Sequence, residues 1–228
     1  MSEQGERSLN HFSLFHLNQT YWALPVEERR NSLSAWLAQL RETSPVVEAY
    51  QAFPAGAAAD LLIWCATPIE NTATTARFFT GLARAINPFR GLIEPRNVLW
   101  GYTAPSAYSQ ARSAQELDPF AGSRKAYLIV YPFVKTKEWY LKSQDARQGM
   151  MNEHMRLGKS YTEISQLLLY CFGLQDQEFV VVYEADDLLQ FSDLVRELRS
   201  TDGRLYTERD SPLYTAIYHP AEETLSLW

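Results

Sequence analysis

Lys125-Ala-Tyr-Leu-Ile-Val-Tyr-Pro-Phe133 and Glu178-Phe-Val-Val-Val-Tyr-Glu184 decide how this chain is read. Both are short apolar runs rich in β-branched and aromatic residues, the signature of buried strands. Between them, 143–157 reads as a helix capped by Ser143 and ended at Gly158. Residues 160–172 read as a second helix, stopped at Gly173. After the second strand, 187–199 reads as a helix with Leu188, Phe191, Leu194, Val195 and Leu198 on one face, and 213–218 as a last strand.

The preceding hundred residues alternate in a similar way. Strands are expected at 12–17, 46–52, 60–66 and 97–103. Helices are expected at 25–40, with Leu33, Trp36, Leu37 and Leu40 on one stripe, and at 72–86, with Phe78, Phe79, Leu82 and Ile86 inward and Pro88 closing it. The first half is read as strand, helix, strand, strand, helix, strand, the order of a split-βαβ, ferredoxin-like unit, and the second half as a repeat of it apart from the helix expected at 160–172. The expected fold class is therefore α+β. Two ferredoxin-like halves, 1–103 and 125–228, form a barrel-like sheet core with helices outside, and 104–124 is a crossover or a flap over a site.

Bulk composition narrows the function. The 228 residues carry a net charge of −6 and show no basic stripe, which argues against nucleic acid as a partner. No apolar run reaches the roughly twenty residues of a membrane span, and the first residues lack the apolar core of a signal peptide. Cys65 and Cys171 lie in apolar runs and read as buried free thiols of a reducing compartment. The expected location is cytoplasmic.

Of four histidines, His154 stands out. It shares a helical stripe with Arg147, Met150, Met151 and Leu157, apolar enough to face inward. One imidazole cannot hold a bare divalent ion, but it suffices as axial ligand to an iron already held by a porphyrin. Upstream, Tyr131 offers a redox-capable phenol and Lys135 a cation suited to a carboxylate. Trp139, Tyr140 and Met150 are apolar enough to pack on a flat ring. Asp186 and Asp187 read as caps of the helix that follows, and His11 and His16 as structural. Ser211 is a candidate contact for a propionate.

Tyr131-Pro-Phe-Val-Lys-Thr-Lys-Glu-Trp-Tyr140, Met150-Met-Asn-Glu-His154, Gly158, Tyr161, Tyr170-Cys-Phe-Gly-Leu-Gln-Asp-Gln-Glu-Phe-Val-Val181 and Leu198-Arg-Ser-Thr-Asp202 together resemble the chlorite dismutase family. That family includes the coproheme decarboxylases of bacterial haem biosynthesis. The resemblance covers the second half of the chain. It implies haem b or coproheme as the iron cofactor, ring-shaped homo-oligomers (often pentamers), and His154 as the proximal metal ligand. It implies that Tyr131 forms the radical that oxidises propionates with hydrogen peroxide, and that Lys135 assists. Chlorite-decomposing and peroxidase-like chemistries also occur in the family, and chlorite-decomposing members carry a distal arginine after the proximal histidine. From Leu157 through Leu194 this chain has none. Gln166 or Leu167 is expected above the iron instead. An arginine that holds a propionate in the decarboxylases falls near Leu117, where only Arg112 or Arg124 can substitute.

Overall fold

The structure is a computed structural model that describes residues 7–109 and 113–228. In chain order it contains β1 (Ser8–Leu17), α1 (Gln19–Ala23), α2 (Val26–Thr43), β2 (Val46–Gln51), β3 (Leu61–Pro68), α3 (Thr74–Ile86) and β4 (Ile93–Tyr102). After the connection come β5 (Tyr127–Lys135), α4 (Lys137–Leu141), α5 (Gln144–Gly158), β6 (Ser165–Tyr170), β7 (Phe179–Ala185), α6 (Leu188–Leu198), β8 (Thr207–Arg209), β9 (Tyr214–Tyr218) and α7 (Ala221–Ser226).

The sheet runs β7-β6-β4-β1-β3-β2-β9-β5-β8, and β5 also pairs with β7. Eight strands therefore close on themselves, with β8 attached outside the ring. Closure removes the open edges that an isolated sheet must protect. Within the ring, β4-β1-β3-β2 and β6-β7-β5-β9 are two antiparallel four-strand sets with the same order of connections. They join through few pairs: Tyr102 opposite Tyr170 on one side, and Tyr50 and Gln51 opposite Tyr218 and Ile217 on the other. Gly101 sits at the first junction. A Cβ there would come within 2.9 Å of the Tyr170 carbonyl oxygen and 3.0 Å of Leu169 Cβ, so the close approach of β4 to β6 requires glycine.

Strand alternation sorts the side chains into three cores. Phe12, Leu14, Leu62, Trp64, Leu128, Val130, Leu167, Leu169, Val180 and Val182 fill the barrel interior. Outside the first half, α2 and α3 cover Leu9, Phe15, Leu61 and Ile63 with Trp36, Leu40, Phe78 and Leu82. Outside the second half, α6 covers Ile129, Val181 and Tyr183 with Phe191 and Leu194. Asp187 caps α6, its Oδ1 accepting the Leu189 and Gln190 N–H groups, and Ser143 caps α5. Both cysteines are buried and free.

One expected element is wrong. Residues 160–172 are not a helix: a turn leads into β6, which pairs along its length with β7 and meets β4 at the junction of the two sets. Leu167 and Leu169 are buried in the barrel interior while Leu168 packs on the outer core. A strand apolar on both faces shows no alternation, so periodicity alone cannot separate it from a helix. β6 is also the strand that the ferredoxin-like order requires at this point.

Candidate functional site

The two halves differ in how their first long helix meets the sheet. In α2 the inward stripe Leu33, Trp36, Leu37 and Leu40 is at most 3% exposed. In α5, the corresponding helix of the second half, no residue is fully buried. Met150, Met151, His154 and Leu157 are half-buried, although three of the four are apolar. Leu157 packs on the outer core that includes Tyr131, Leu168 and Val181, which places the His154 face of the helix toward the sheet. α5 thus stands over the sheet without a fully buried stripe of its own.

Strand register supplies the opposing wall. Directly opposed residues of antiparallel neighbours share a face. Three outward rows run across β5, β7 and β6: Ile129, Tyr183 and Gln166; Tyr131, Val181 and Leu168; Phe133, Phe179 and Tyr170. The third row continues into Phe172, whose ring centroid lies 4.8 Å from that of Phe179, and Tyr140 meets Phe172 at 6.2 Å. Phe172 and Tyr140 remain 46% and 40% exposed, an aromatic platform left open on one side.

Lys135 closes the end of β5. Its N–H donates to Glu178 Oε2 at 2.8 Å, and its Nζ donates to the Gly203 carbonyl at 3.1 Å and lies 4.3 Å from the ring centroid of buried Trp139. Burial, then the nearby Arg204, pull the ammonium down to about 8, while Glu178 opposes the shift. Arg199 and Arg204 share one carboxylate, Asp210, at 3.6 and 2.5 Å. With Lys135 they make a cationic end to the cleft, suited to an acidic ligand. The arginines follow the α6 segment by a turn, and no local pattern marks them as part of the site.

His154 accepts or donates no hydrogen bond among the described residues. Burial, and then the charge of Lys135, lower its pKa to about 4, so the ring is neutral at pH 7. A neutral imidazole with no hydrogen-bond partner is competent to bind a metal. The described residues contain no group of three or more His, Cys, Asp or Glu side chains able to hold a metal ion by themselves. Tyr131, on the opposite wall, is held firmly protonated by burial and by its neighbour Tyr183.

The 104–124 connection brackets the cleft. Gln148 Nε2 donates to the Tyr108 carbonyl at 3.1 Å, and the Tyr108 ring meets Trp139 at 6.3 Å. Farther on, Gln115 Nε2 donates to the carbonyls of Gly158 and Tyr161 beyond α5, and Gln115 and Leu117 pair with the Gln166 backbone.

Not every expected residue joins this cleft. Leu167 points into the barrel interior, 4% exposed, because an odd and an even position of one strand face opposite ways. Leu168 takes the row of Tyr131 instead, and Gln166 lies one row away with an exposed side chain. Arg124 is enclosed in the barrel: it lies 3.6 Å from Glu48, 3.9 Å from Glu184 and 4.6 Å from the Trp64 ring centroid, and it donates to the Asp118 carbonyl. It is not available to a ligand beneath α5. Arg112 lies outside the described residues. Ser211 is exposed. A separate groove of about 580 Å³ shares Tyr170 and Phe172 with the platform but includes none of Tyr131, Lys135 or His154.

A family model described as chlorite dismutase matches residues 26–219. The chain belongs to the chlorite dismutase family. A coproheme decarboxylase of Mycolicibacterium smegmatis is 30% identical over 165 residues, a match that spans 69% of this chain and 66% of that protein. Two solved structures of the chlorite dismutase of Candidatus Nitrospira defluvii, one a variant and one in complex with imidazole, superimpose with TM-scores of 0.82 and 0.81. Both are 24% identical and cover 99% of this chain and 96% of theirs. They show that this chain has the fold of that chlorite dismutase. Among the described residues no helix is long and apolar enough to cross a membrane.

Proposed function

We propose that this protein is a haem-dependent oxidoreductase that uses hydrogen peroxide to convert coproheme to haem b by oxidative decarboxylation of propionates. What supports this reading is the neutral His154, without a hydrogen-bond partner on the half-buried inner face of α5, with Lys135 near enough to lower its pKa; the reading takes the space between α5, Tyr131 and Lys135 as a gap for the ring. The donor set fits a porphyrin: a single imidazole is enough for an axial position and too little for a bare ion. The gap has an aromatic wall and a cationic end, which matches a flat apolar ring carrying carboxylates.

The iron porphyrin, once bound, supplies the oxidising equivalents drawn from peroxide. The chain supplies the rest. His154 fixes the iron side of the ring. Lys135, with Arg199 and Arg204, orients carboxylates at one end and disfavours binding with the propionates reversed. Tyr131 would give up its phenolic hydrogen to the peroxide-derived oxidant and, as a radical, take a hydrogen atom from a propionate carbon; a second one-electron oxidation, drawn from the same two-electron peroxide equivalent, with loss of the carboxylate as carbon dioxide would then leave the vinyl group. Phe133, Phe179 and Tyr170 exclude water along the face of the ring. Residues 125–228 are the half that carries this chemistry, and the two buried thiols suit work in the cytoplasm.

Dismutation of chlorite is the less favoured chemistry. The outward side chains of β6 are Gln166, Leu168 and Tyr170, so this wall presents no guanidinium to a chlorite anion. The deciding experiment adds coproheme and peroxide to the purified protein and follows haem b by chromatography. Conversion that disappears in Tyr131→Phe supports the reading. Coproheme binding without conversion reduces the protein to a haem binder with peroxidase-level activity, and oxygen release from chlorite overturns the preference.

A further inference from the structure

Arg147 lies two helical turns before His154 on α5, about 10 Å along the axis, and shares the inner stripe with Met150, Met151 and Leu157. It is half-buried, and near enough to Tyr140 for its charge to act on that phenol. The guanidinium therefore belongs to the open side of the cleft, by the platform of Tyr140 and Phe172.

Its Nε is enclosed and lacks a hydrogen-bond partner, and the guanidinium forms no hydrogen bond or ion pair among the described residues. Arg29 and Arg124 also have an enclosed, unpartnered Nε, but their other nitrogens donate to the carbonyls of Trp228, Asp118 and Pro119. Arg147 has no such outlet. The carboxylate beside the platform is already engaged, because Glu178 Oε2 accepts both the Tyr140 hydroxyl and the Lys135 N–H. An enclosed donor on a permanently charged group is costly without an acceptor, and folded proteins seldom keep one unless something else supplies the acceptor.

We propose that Arg147 binds a carboxylate of the ring and so selects porphyrin acids over their esters. Nε–H and one Nη–H form the side-on fork that grips both oxygens of a carboxylate. A porphyrin held at its centre by His154 presents its carboxylates at the rim, and Arg147 meets one from the helix wall as Lys135 does from the end of β5. This rests on reading the cleft as a porphyrin site, and not on the chemistry that follows binding.

The test is a Soret titration of the wild type and Arg147→Met with haem b and with haem b dimethyl ester, which keeps iron and ring but has no carboxylate. Arg147→Met is expected to weaken haem b binding about 10- to 100-fold, the worth of a charge-assisted fork, and to leave ester binding unchanged. In the porphyrin-free protein its thermal midpoint is expected to equal or exceed that of the wild type, since the substitution removes a donor that has no acceptor. An arginine that served only the fold would lower that midpoint. Unchanged haem b affinity, equal losses for acid and ester, or a lowered porphyrin-free midpoint overturns the proposal. A wild type that binds neither ligand overturns the porphyrin reading and this proposal together. A wild type that binds haem b and coproheme yet never decarboxylates refutes the chemistry alone, and the titrations still decide the role of Arg147.

Discussion

Protonation of His154 gives a quantitative test of its role as a ligand. Only the neutral imidazole binds iron, so the apparent affinity scales with the neutral fraction of the ring. For an ordinary histidine of pKa 6.5, going from pH 8 to pH 5 would weaken ligation roughly 30-fold. Here burial and Lys135 hold the ring near 4, so protons compete only below that value. The ligation component should fall by less than about 1.2-fold over the same range and by about tenfold per unit below pH 4. The assay is a Soret titration of the porphyrin-free protein with haem at pH 8, 7, 6 and 5, repeated with His154→Ala. The ratio of the two affinities at each pH cancels effects of propionate and lysine titration and leaves the imidazole alone. A ratio that stays flat supports the buried, unpaired imidazole. A ratio that drops about 30-fold by pH 5 would show a solvated histidine and refute the placement of this side chain beneath α5.

Four other outcomes follow from the same geometry. Burial raises Glu184 to about 7 from 4.5, so the folded state holds its proton more tightly than the unfolded one, and stability falls as pH rises from about 4.5 to about 7. Between pH 5 and pH 8 the wild type should lose about 2.5 kcal/mol relative to Glu184→Gln, in which Glu48 alone faces Arg124; urea unfolding at each pH measures it, and a constant difference sinks the argument. Lys135→Met should weaken coproheme binding about 10- to 100-fold at pH 7, with the wild-type advantage fading as pH passes about 8 and the ammonium discharges. Gly101→Ala should cost about 1–3 kcal/mol by forcing β4 from β6, read as a lower thermal midpoint. Amide exchange in α5 should be much faster than in α2 without porphyrin and slow on its addition, since α5 lacks a buried stripe of its own; equal protection of both helices would contradict the gap.

Elements that bury one face were legible in the sequence. The stripe Leu33, Trp36, Leu37 and Leu40 marked α2, and Phe191 with Leu194 marked α6, because a helix with one dry side must repeat with its own turn. β6 was misread for the converse reason: Leu167, Leu168 and Leu169 are apolar on both sides and carry no period. Of the two candidates for the facing residue, Gln166 and Leu167, only Gln166 lies on the outward face, because adjacent strand positions face opposite ways. Tyr131, Lys135 and His154 could be named from the motif they share with a known family, but Arg124 could not be placed. Nothing near it in sequence announces that Glu48 and Glu184, on strands of different halves, meet inside the barrel. Tyr183 looked like any core strand aromatic, and only the register with β5 makes it the neighbour of Tyr131.

A duplicated architecture explains how an α5 without a buried stripe is tolerated. Full burial of a side chain such as Leu or Trp contributes about 1.5–3 kcal/mol, so the four-residue stripe of α2 is worth on the order of 6–12 kcal/mol. That is comparable with the whole net stability of a typical domain. The first half takes this stabilisation in full, and the ring of strands carries it to the second half through β4–β6 and β2–β9. α5 forgoes most of its share. It is held instead at its ends, by Ser143 at the start, by Gln115 at the Gly158 carbonyl, and by Gln148 on the connection at Tyr108. Anchored ends and an inner face that is only half-buried are what a helix needs if that face is to be completed by a ligand rather than by the protein. The same anchors lie on the connection between the halves, so the geometry of the cleft depends on both halves being joined, even though the side chains that line it come from the second alone.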